Sequence, residues 1–174
     1  NPEIQVKTHE MRFSAQNAEA ILENYDIVLD GSDNFATRYL VNDACVLFKK
    51  PNVYGSIYRF EGQASVFAYK DGPCYRCLFP EPPSQEAVPN CAEAGVLGVI
   101  AGIIGCIQAN ECIKLICEVG ISLKGRLLLF DALQMSFDEL RIDKDPNCVI
   151  CSASGKINKL TALNLSCEQN PELR

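Results

Sequence analysis

The chain has 174 residues, 48% of them hydrophobic and 22% charged, with a formal net charge of −6. That length supports one substantial core and a single domain with at most an appendage. The acidic balance gives no basic footprint for nucleic acid or an anionic membrane, so both are set aside as partners. Ten cysteines arranged as two C-x-x-C clips plus singles, with no secretory leader, point to a reducing, cytoplasmic setting.

In chain order, Ile4-Gln5-Val6 alternate like a short strand, and Ala18, Ile21 and Leu22 share a helical face between Gln16 and Asn24. Ile27-Val28-Leu29 read as a buried strand ending in the polar turn Asp30 to Asn34. A helix then runs from Phe35 towards Lys50-Pro51. Strand, polar turn and helix in this order make half of a doubly wound α/β unit. Val53–Tyr58 and Ala64–Tyr69 are two further strands joined by a bend at 59–63.

The four prolines between Pro80 and Pro89 imply a stiff surface loop that crosses over something. From about Ala92 to Glu118 the pattern predicts a buried helix, its uncharged stretch too short to span a membrane. Gly95, Gly98, Gly102 and Gly105 would strip one side of that helix for close approach of another backbone, within the core or across a dimer. Cys106, Cys112 and Cys117 are expected to be small core residues. Gly120 should cap the helix, and Arg126–Phe130 and Phe137–Ile142 close the sheet. Residues 152–174 turn polar and read as a linker or tail.

Cys74/Cys77 and Cys148/Cys151 each follow a turn after a strand-like run, the arrangement that aims thiolates at one zinc ion. Four thiolates leave no open coordination position, so such a zinc would be structural. The alternative is a redox dithiol, disfavoured because Leu78-Phe79-Pro80 opens no helix after the first pair. Asp30 and Asp33 stand at the carboxyl end of a strand, where open α/β sheets bind ligands and a carboxylate can hold Mg²⁺ against phosphates. Either also suits a helix cap. Arg38 falls one turn further on. Cys91, at the expected mouth of the long helix, is the best nucleophile candidate, because a helix N-terminus favours thiolate.

These residues lie within five stretches: YDIVLDGSDNFATR, YRFEGQASVFAYKDGPCYRCLFPEPP, VPNCAEAGVLGVIAGIIGCIQANECIK, GRLLLFDAL and DPNCVIC. Together, over residues 1–151, they resemble the C-terminal two-thirds of the MoeB/ThiF family, the ubiquitin-activating-enzyme-like adenylyltransferases of sulfur-carrier proteins. FPEPP and VPNCAEAGV resemble most the members bearing a C-terminal rhodanese domain, in the molybdopterin and tRNA-thiolation branch. The resemblance implies a Rossmann-like mixed sheet and an ATP–Mg²⁺ site with Asp33 as its carboxylate and Asn34 and Arg38 beside it. It also implies structural zinc on Cys74, Cys77, Cys148 and Cys151.

Cys91 aligns with the thioester-forming cysteine of ubiquitin-activating enzymes, with a role in sulfur transfer that differs between members. The implied partners are a ubiquitin-like sulfur-carrier protein, a sulfur donor protein and a second copy of the chain. The implied reaction is adenylylation of the carrier's C-terminal glycine. No G-x-G-x-x-G precedes Asp33, so the chain is expected to build only part of the nucleotide site. A non-catalytic, zinc-stapled module that binds a ubiquitin-like protein is the alternative.

Overall fold

A computed structural model describes residues 1–83 and 95–161. After a short helix α1 (Ala18–Leu22) come β1 (Val28–Asp30), α2 (Phe35–Leu47) and β2 (Asn52–Tyr58). β1 and β2 are parallel, with Val28 opposite Asn52 and Asp30 opposite Tyr54, so α2 is the crossover of a βαβ unit. Asn34 starts α2: its side chain accepts the Thr37 N–H at 2.8 Å, satisfying a donor the helix leaves open. β3 (Glu61–Phe67) returns antiparallel to β2, and its pairing reaches Tyr58–Glu61. Only Arg59 and Phe60 are left to turn, a tighter connection than the bend expected at 59–63. A single helical turn, α3 (Tyr75–Leu78), and the long helix α4 (Gly98–Cys117) precede the antiparallel strands β4 (Arg126–Asp131) and β5 (Ser136–Arg141). The sheet has five strands in the order β1-β2-β3-β4-β5.

The period-2 alternation of β2 and β3 sends successive side chains to opposite layers. Tyr54 and Phe67 face α2 and α3, where they cluster with Tyr39, Tyr75, Leu127 and Ile142. Tyr75 lies 5.1 Å from Tyr39 and 5.4 Å from Tyr54, ring centre to ring centre, the first pair edge-on. On the other face α4 sets Ile100 and Ile104 against Ile57 and Phe130, while Ile107 and Leu115 cover Ala64 and Val66. Helices on both faces of a mixed sheet give the α/β, doubly wound architecture that the sequence implies.

Several local expectations are overturned. Ile4 and Val6 are not in a strand and are 62% and 78% exposed. The long helix begins at Gly98, and Val96 instead forms an isolated bridge with Arg59. Its C-cap is Glu118, in the left-handed region at φ 54°, two residues before Gly120. Only one face of α4 is buried, that of Ile100, Ile104, Gln108 and Glu111. A cylinder on a flat sheet covers only a stripe, so Ile113, Ile116, Cys106 and Cys117 are exposed and Cys112 is half-buried, instead of lying in the core.

By length and composition α4 is apolar enough to cross a membrane. Its buried polar groups instead serve the sheet side: the Glu111 carboxylate accepts the Leu123 N–H at 2.7 Å and pairs with Lys114.

Close approach of α4 to the sheet is provided by glycines of the strands. A Cβ on Gly62 would lie 2.5 Å from Ile104, and one on Gly55 would lie 2.4 Å from the Gln108 amide. At Gly98, Gly102 and Gly105 nothing lies within 4 Å among the described residues. The expected backbone contact along that stripe is therefore absent inside the described fold. Gly102→Ala should then raise stability by about 0.5–1 kcal/mol through helix propensity. Gly62→Ala should lower it by about 1–3 kcal/mol through overpacking. Urea titration of both variants checks this; a Gly102→Ala protein less stable than wild type would reveal a contact from another molecule.

Candidate functional site

A cavity of about 920 Å³ opens at the carboxyl ends of β1 and β2, the crevice where parallel α/β sheets take ligands. One side is polar, built from Gly31 to Asn34, Arg38 and Ser56. The other is apolar, built from Ile57, Tyr58, Val96 and Ile104, and Phe79, Glu81 and Pro83 add a further wall.

The polar side is organised by Asp30, the last residue of β1 and 2% exposed. Its Oδ1 accepts the Ser32 N–H at 2.9 Å, turning the chain off the strand into the loop that carries Asp33. Asp33 is exposed, and its carboxylate accepts from the Asn34 side-chain amide at 3.2 Å. The Asn34 carbonyl oxygen is already committed to capping α2.

Arg38 is buried and donates to Ser56 Oγ at 2.8 Å and to the Ser32 carbonyl at 2.7 Å. Its guanidinium lies 5.2 Å from the Tyr54 ring centre, a contact that holds the cation in a partly apolar setting. Asp30 Oδ2, Ser32 Oγ and Arg38 Nε are buried without a hydrogen-bond partner among the described residues. Three such atoms along one short loop and the helix it feeds suit a polar ligand. Arg38 is the only cation lining the cavity among the described residues.

Sequence reasoning singled out Asp33, Asn34 and Arg38, and all three line this cavity. It passed over Gln108, whose side-chain amide donates to the carbonyls of Asp30 at 2.8 Å and Val53 at 2.9 Å. The available signal was a glutamine inside an uncharged helical run, which is costly to bury unless its amide is bonded. It also passed over the anchoring of the Phe79 wall. The Tyr39 hydroxyl lies 2.9 Å from the Phe79 carbonyl and 2.7 Å from that of Glu81. Burial pushes the Tyr39 phenol up to about 12, so it stays a donor throughout the neutral range.

The second cluster joins the two cysteine pairs. The Sγ atoms of Cys74, Cys77, Cys148 and Cys151 all lie within 4.8 Å of one another. Individual separations are 3.6 Å for Cys74–Cys148, 3.9 Å for Cys74–Cys77 and 3.3 Å for Cys77–Cys151. A tetrahedron with metal–sulfur bonds of about 2.3 Å has edges of about 3.8 Å, so the four sulfurs fit one metal ion such as zinc. Hydrogen bonding with Cys151 and Cys77 drives the Cys74 thiol far up, while hydrogen bonding with Cys151 and Cys74 draws Cys77 down. A sulfur cluster that shares protons in this way is one that a cation can deprotonate.

A single helical turn does form at the first pair, but it lies within the motif rather than after it: α3 starts directly after Cys74, carries Cys77 and ends at Leu78. Convergence of the second pair on the first, rather than the lack of a helix, is what distinguishes the cluster from a lone dithiol. Cys91 lies outside the described residues, and α4, at whose mouth it was expected, begins at Gly98.

The sequence profile of the ThiF family matches residues 1–150. The chain is 52% identical over 161 residues to an adenylyltransferase and sulfurtransferase MOCS3 of Anopheles gambiae, covering 92% of this chain and 36% of that protein. It is 50% identical over 156 residues to a sulfur carrier protein adenylyltransferase of Thermus thermophilus, covering 87% of this chain and 58% of that protein. The chain thus spans well under two thirds of either relative.

Among solved structures, E. coli MccB superposes with a TM-score of 0.72 at 15% identity, over 88% of this chain and 46% of that one. The structure of E. coli MccB with ATP gives 0.61 at 14% identity, over 76% and 42%. At such identities the likeness concerns the fold alone.

Burial raises the Asp30 carboxyl above its ordinary 3.8, against the opposing pull of Ser32 and Arg38. Between those two values the folded state binds more protons than the unfolded state, so this group's contribution falls as pH rises through that interval. Asp30→Asn keeps the Ser32 acceptor and removes the buried charge. Its Tm at neutral pH should exceed wild type by a few degrees and the gap should close in acid; a lower Tm at neutral pH would contradict this.

Proposed function

The chain belongs to the ThiF family, and we propose that it forms part of an enzyme that adenylylates the C-terminal glycine of a ubiquitin-like sulfur-carrier protein. The observation that carries this reading is the loop Ser32–Asn34 with Arg38 at the mouth of a βαβ crevice, where Ser32 Oγ and Arg38 Nε are buried without a hydrogen-bond partner among the described residues. Both relatives described above are named as adenylyltransferases, one of them for a sulfur carrier.

In the proposed reaction a carrier carboxylate oxygen forms a bond to the α-phosphorus of ATP. The α–β phosphoanhydride bond breaks and pyrophosphate leaves, giving an acyl-adenylate. Arg38 would donate to phosphate or ribose oxygens through its unused Nε–H. Asp33 would hold Mg²⁺ as a hard oxygen ligand, and the ion would supply charge neutralisation at the phosphates. The residues act by alignment and electrostatics, because phosphoryl chemistry of this kind asks for no covalent help from the protein.

The cysteine cluster would hold a structural zinc. Cys91 would act in the later passage of sulfur from a donor protein, in molybdopterin synthesis or tRNA thiolation. The working unit is proposed to be a cytoplasmic homodimer, with residues 152–174 a linker or tail.

Three outcomes test this. In full-length protein with its carrier, Asp33→Asn should lower ATP–pyrophosphate exchange by about 100-fold or more. The 174 residues alone, with one cation lining the pocket among those described, should bind ATP weakly and show no exchange. Exchange at the wild-type rate in either case would contradict the assignment. Elemental analysis should find about one zinc per chain, lost together with cooperative unfolding in a Cys74→Ser, Cys148→Ser protein. Unchanged thermal stability of that variant would remove the structural role.

A further inference from the structure

Gln108 sits in the buried stripe of a helix that is otherwise uncharged from Gly98 to Asn110, 8% exposed, where leucine or isoleucine would pack without any polar cost. Its Nε2 spends both protons on backbone carbonyls of two neighbouring parallel strands, Asp30 at 2.8 Å and Val53 at 2.9 Å. The Asp30 carbonyl belongs to the peptide that joins β1 to Gly31. Gly31 is exposed, and among the described residues nothing lies within 4 Å of where a Cβ would stand. From that peptide springs the loop that carries Asp33.

Gly55 is matched to the same group, since a Cβ there would fall 2.4–2.7 Å from the atoms of the Gln108 amide. A glutamine that needs a glycine opposite it, and whose amide donates to backbone carbonyls of two adjacent strands, is placed for more than filling space.

We propose that Gln108 is a positioning residue of the pocket. Its amide clamps the carboxyl end of β1 to the second residue of β2, fixes the Asp30–Gly31 peptide plane and so sets where Asp33 stands. The kinetic consequence rests on the adenylylation reading; the mechanical one does not. A carboxylate displaced by about 1 Å costs roughly 100-fold in rate.

The test uses full-length protein, its carrier and ATP with Mg²⁺, and three variants: Gln108→Leu, Gln108→Glu and Gly55→Ala. In Gln108→Leu, amide hydrogen exchange in the 31–34 segment should rise about tenfold while that of 74–78 is unchanged, and kcat of ATP–pyrophosphate exchange should fall about 100-fold. Gln108→Glu can donate one hydrogen bond when protonated. Its kcat should therefore recover as pH is lowered, while the profile of Gln108→Leu keeps the wild-type shape. Gly55→Ala combined with Gln108→Leu should be no worse than the poorer single variant, since both break one contact.

Wild-type protection at 31–34 in Gln108→Leu overturns the clamp, and wild-type kcat with that protection lost overturns the positioning role in the reaction. If wild-type protein exchanges no pyrophosphate with its carrier, the adenylylation reading has failed, and the hydrogen-exchange result alone decides the clamp.

Discussion

The arrangement hangs on a buried ion pair between α2 and the cysteine clip. Arg76, within α3, places Nε 2.7 Å and Nη2 2.8 Å from the two oxygens of Asp43 on α2, a bidentate geometry, and donates a third bond to the Pro80 carbonyl at 3.1 Å. Beside it the Asn42 side-chain oxygen accepts the Tyr75 N–H at 2.8 Å. Such a pair adds little net stability over apolar packing, but leaving either partner alone in the interior costs several kcal/mol. Its effect is therefore to permit one docking geometry. α2 starts at Asn34 in the pocket and grips the residues between Cys74 and Cys77 further along its length. The cysteine clip, the Phe79 wall and the Asp33 loop are thus referred to one helix.

The opposite layer supplies the second reference. α4 lies against β2 and β3 because Gly55 and Gly62 leave room for it, and Gln108 ties its middle to the last residue of β1 and the second residue of β2. The pocket is thereby held from both faces of the sheet: Arg38 reaches Ser32 and Ser56 from α2, and Gln108 reaches Asp30 and Val53 from α4. That is the preorganisation a reaction needs when the protein contributes alignment and charge. The other side of α4, with Ile113 56% and Ile116 66% exposed, takes no part in this frame.

Much of this was legible in the sequence wherever a residue type had one physical use. Two C-x-x-C pairs behind turns have few purposes, and their sulfurs converge. Asp30 to Asn34 after Ile27-Val28-Leu29 reads as a strand end followed by a cap, and it is one. Reasoning failed where a pattern fixes geometry but not the partner. Helical spacing placed Gly98, Gly102 and Gly105 on one side of α4, yet nothing in spacing says whether that side meets a sheet. The sheet met the isoleucine stripe, with the needed glycines on the strands. Cys106 and Cys117 follow from the same ambiguity, because an apolar helix does not announce which third of it is covered. Ile4 to Val6 alternate like a strand but have no neighbour to pair with among the described residues. Gln108, Tyr39 and the Asp43–Arg76 pair act across 33 or more residues of sequence, beyond the reach of any local pattern.

The central claim is that this crevice, once completed by the rest of the protein, activates a carrier's terminal carboxylate with AMP. Intact-mass spectrometry of the carrier after incubation with full-length protein, ATP and Mg²⁺, without a sulfur donor, tests it most directly. The account predicts a carrier heavier by one AMP on its C-terminal glycine, with pyrophosphate released in equal amount. A carrier of unchanged mass beside ATP cleaved to ADP and phosphate would contradict it.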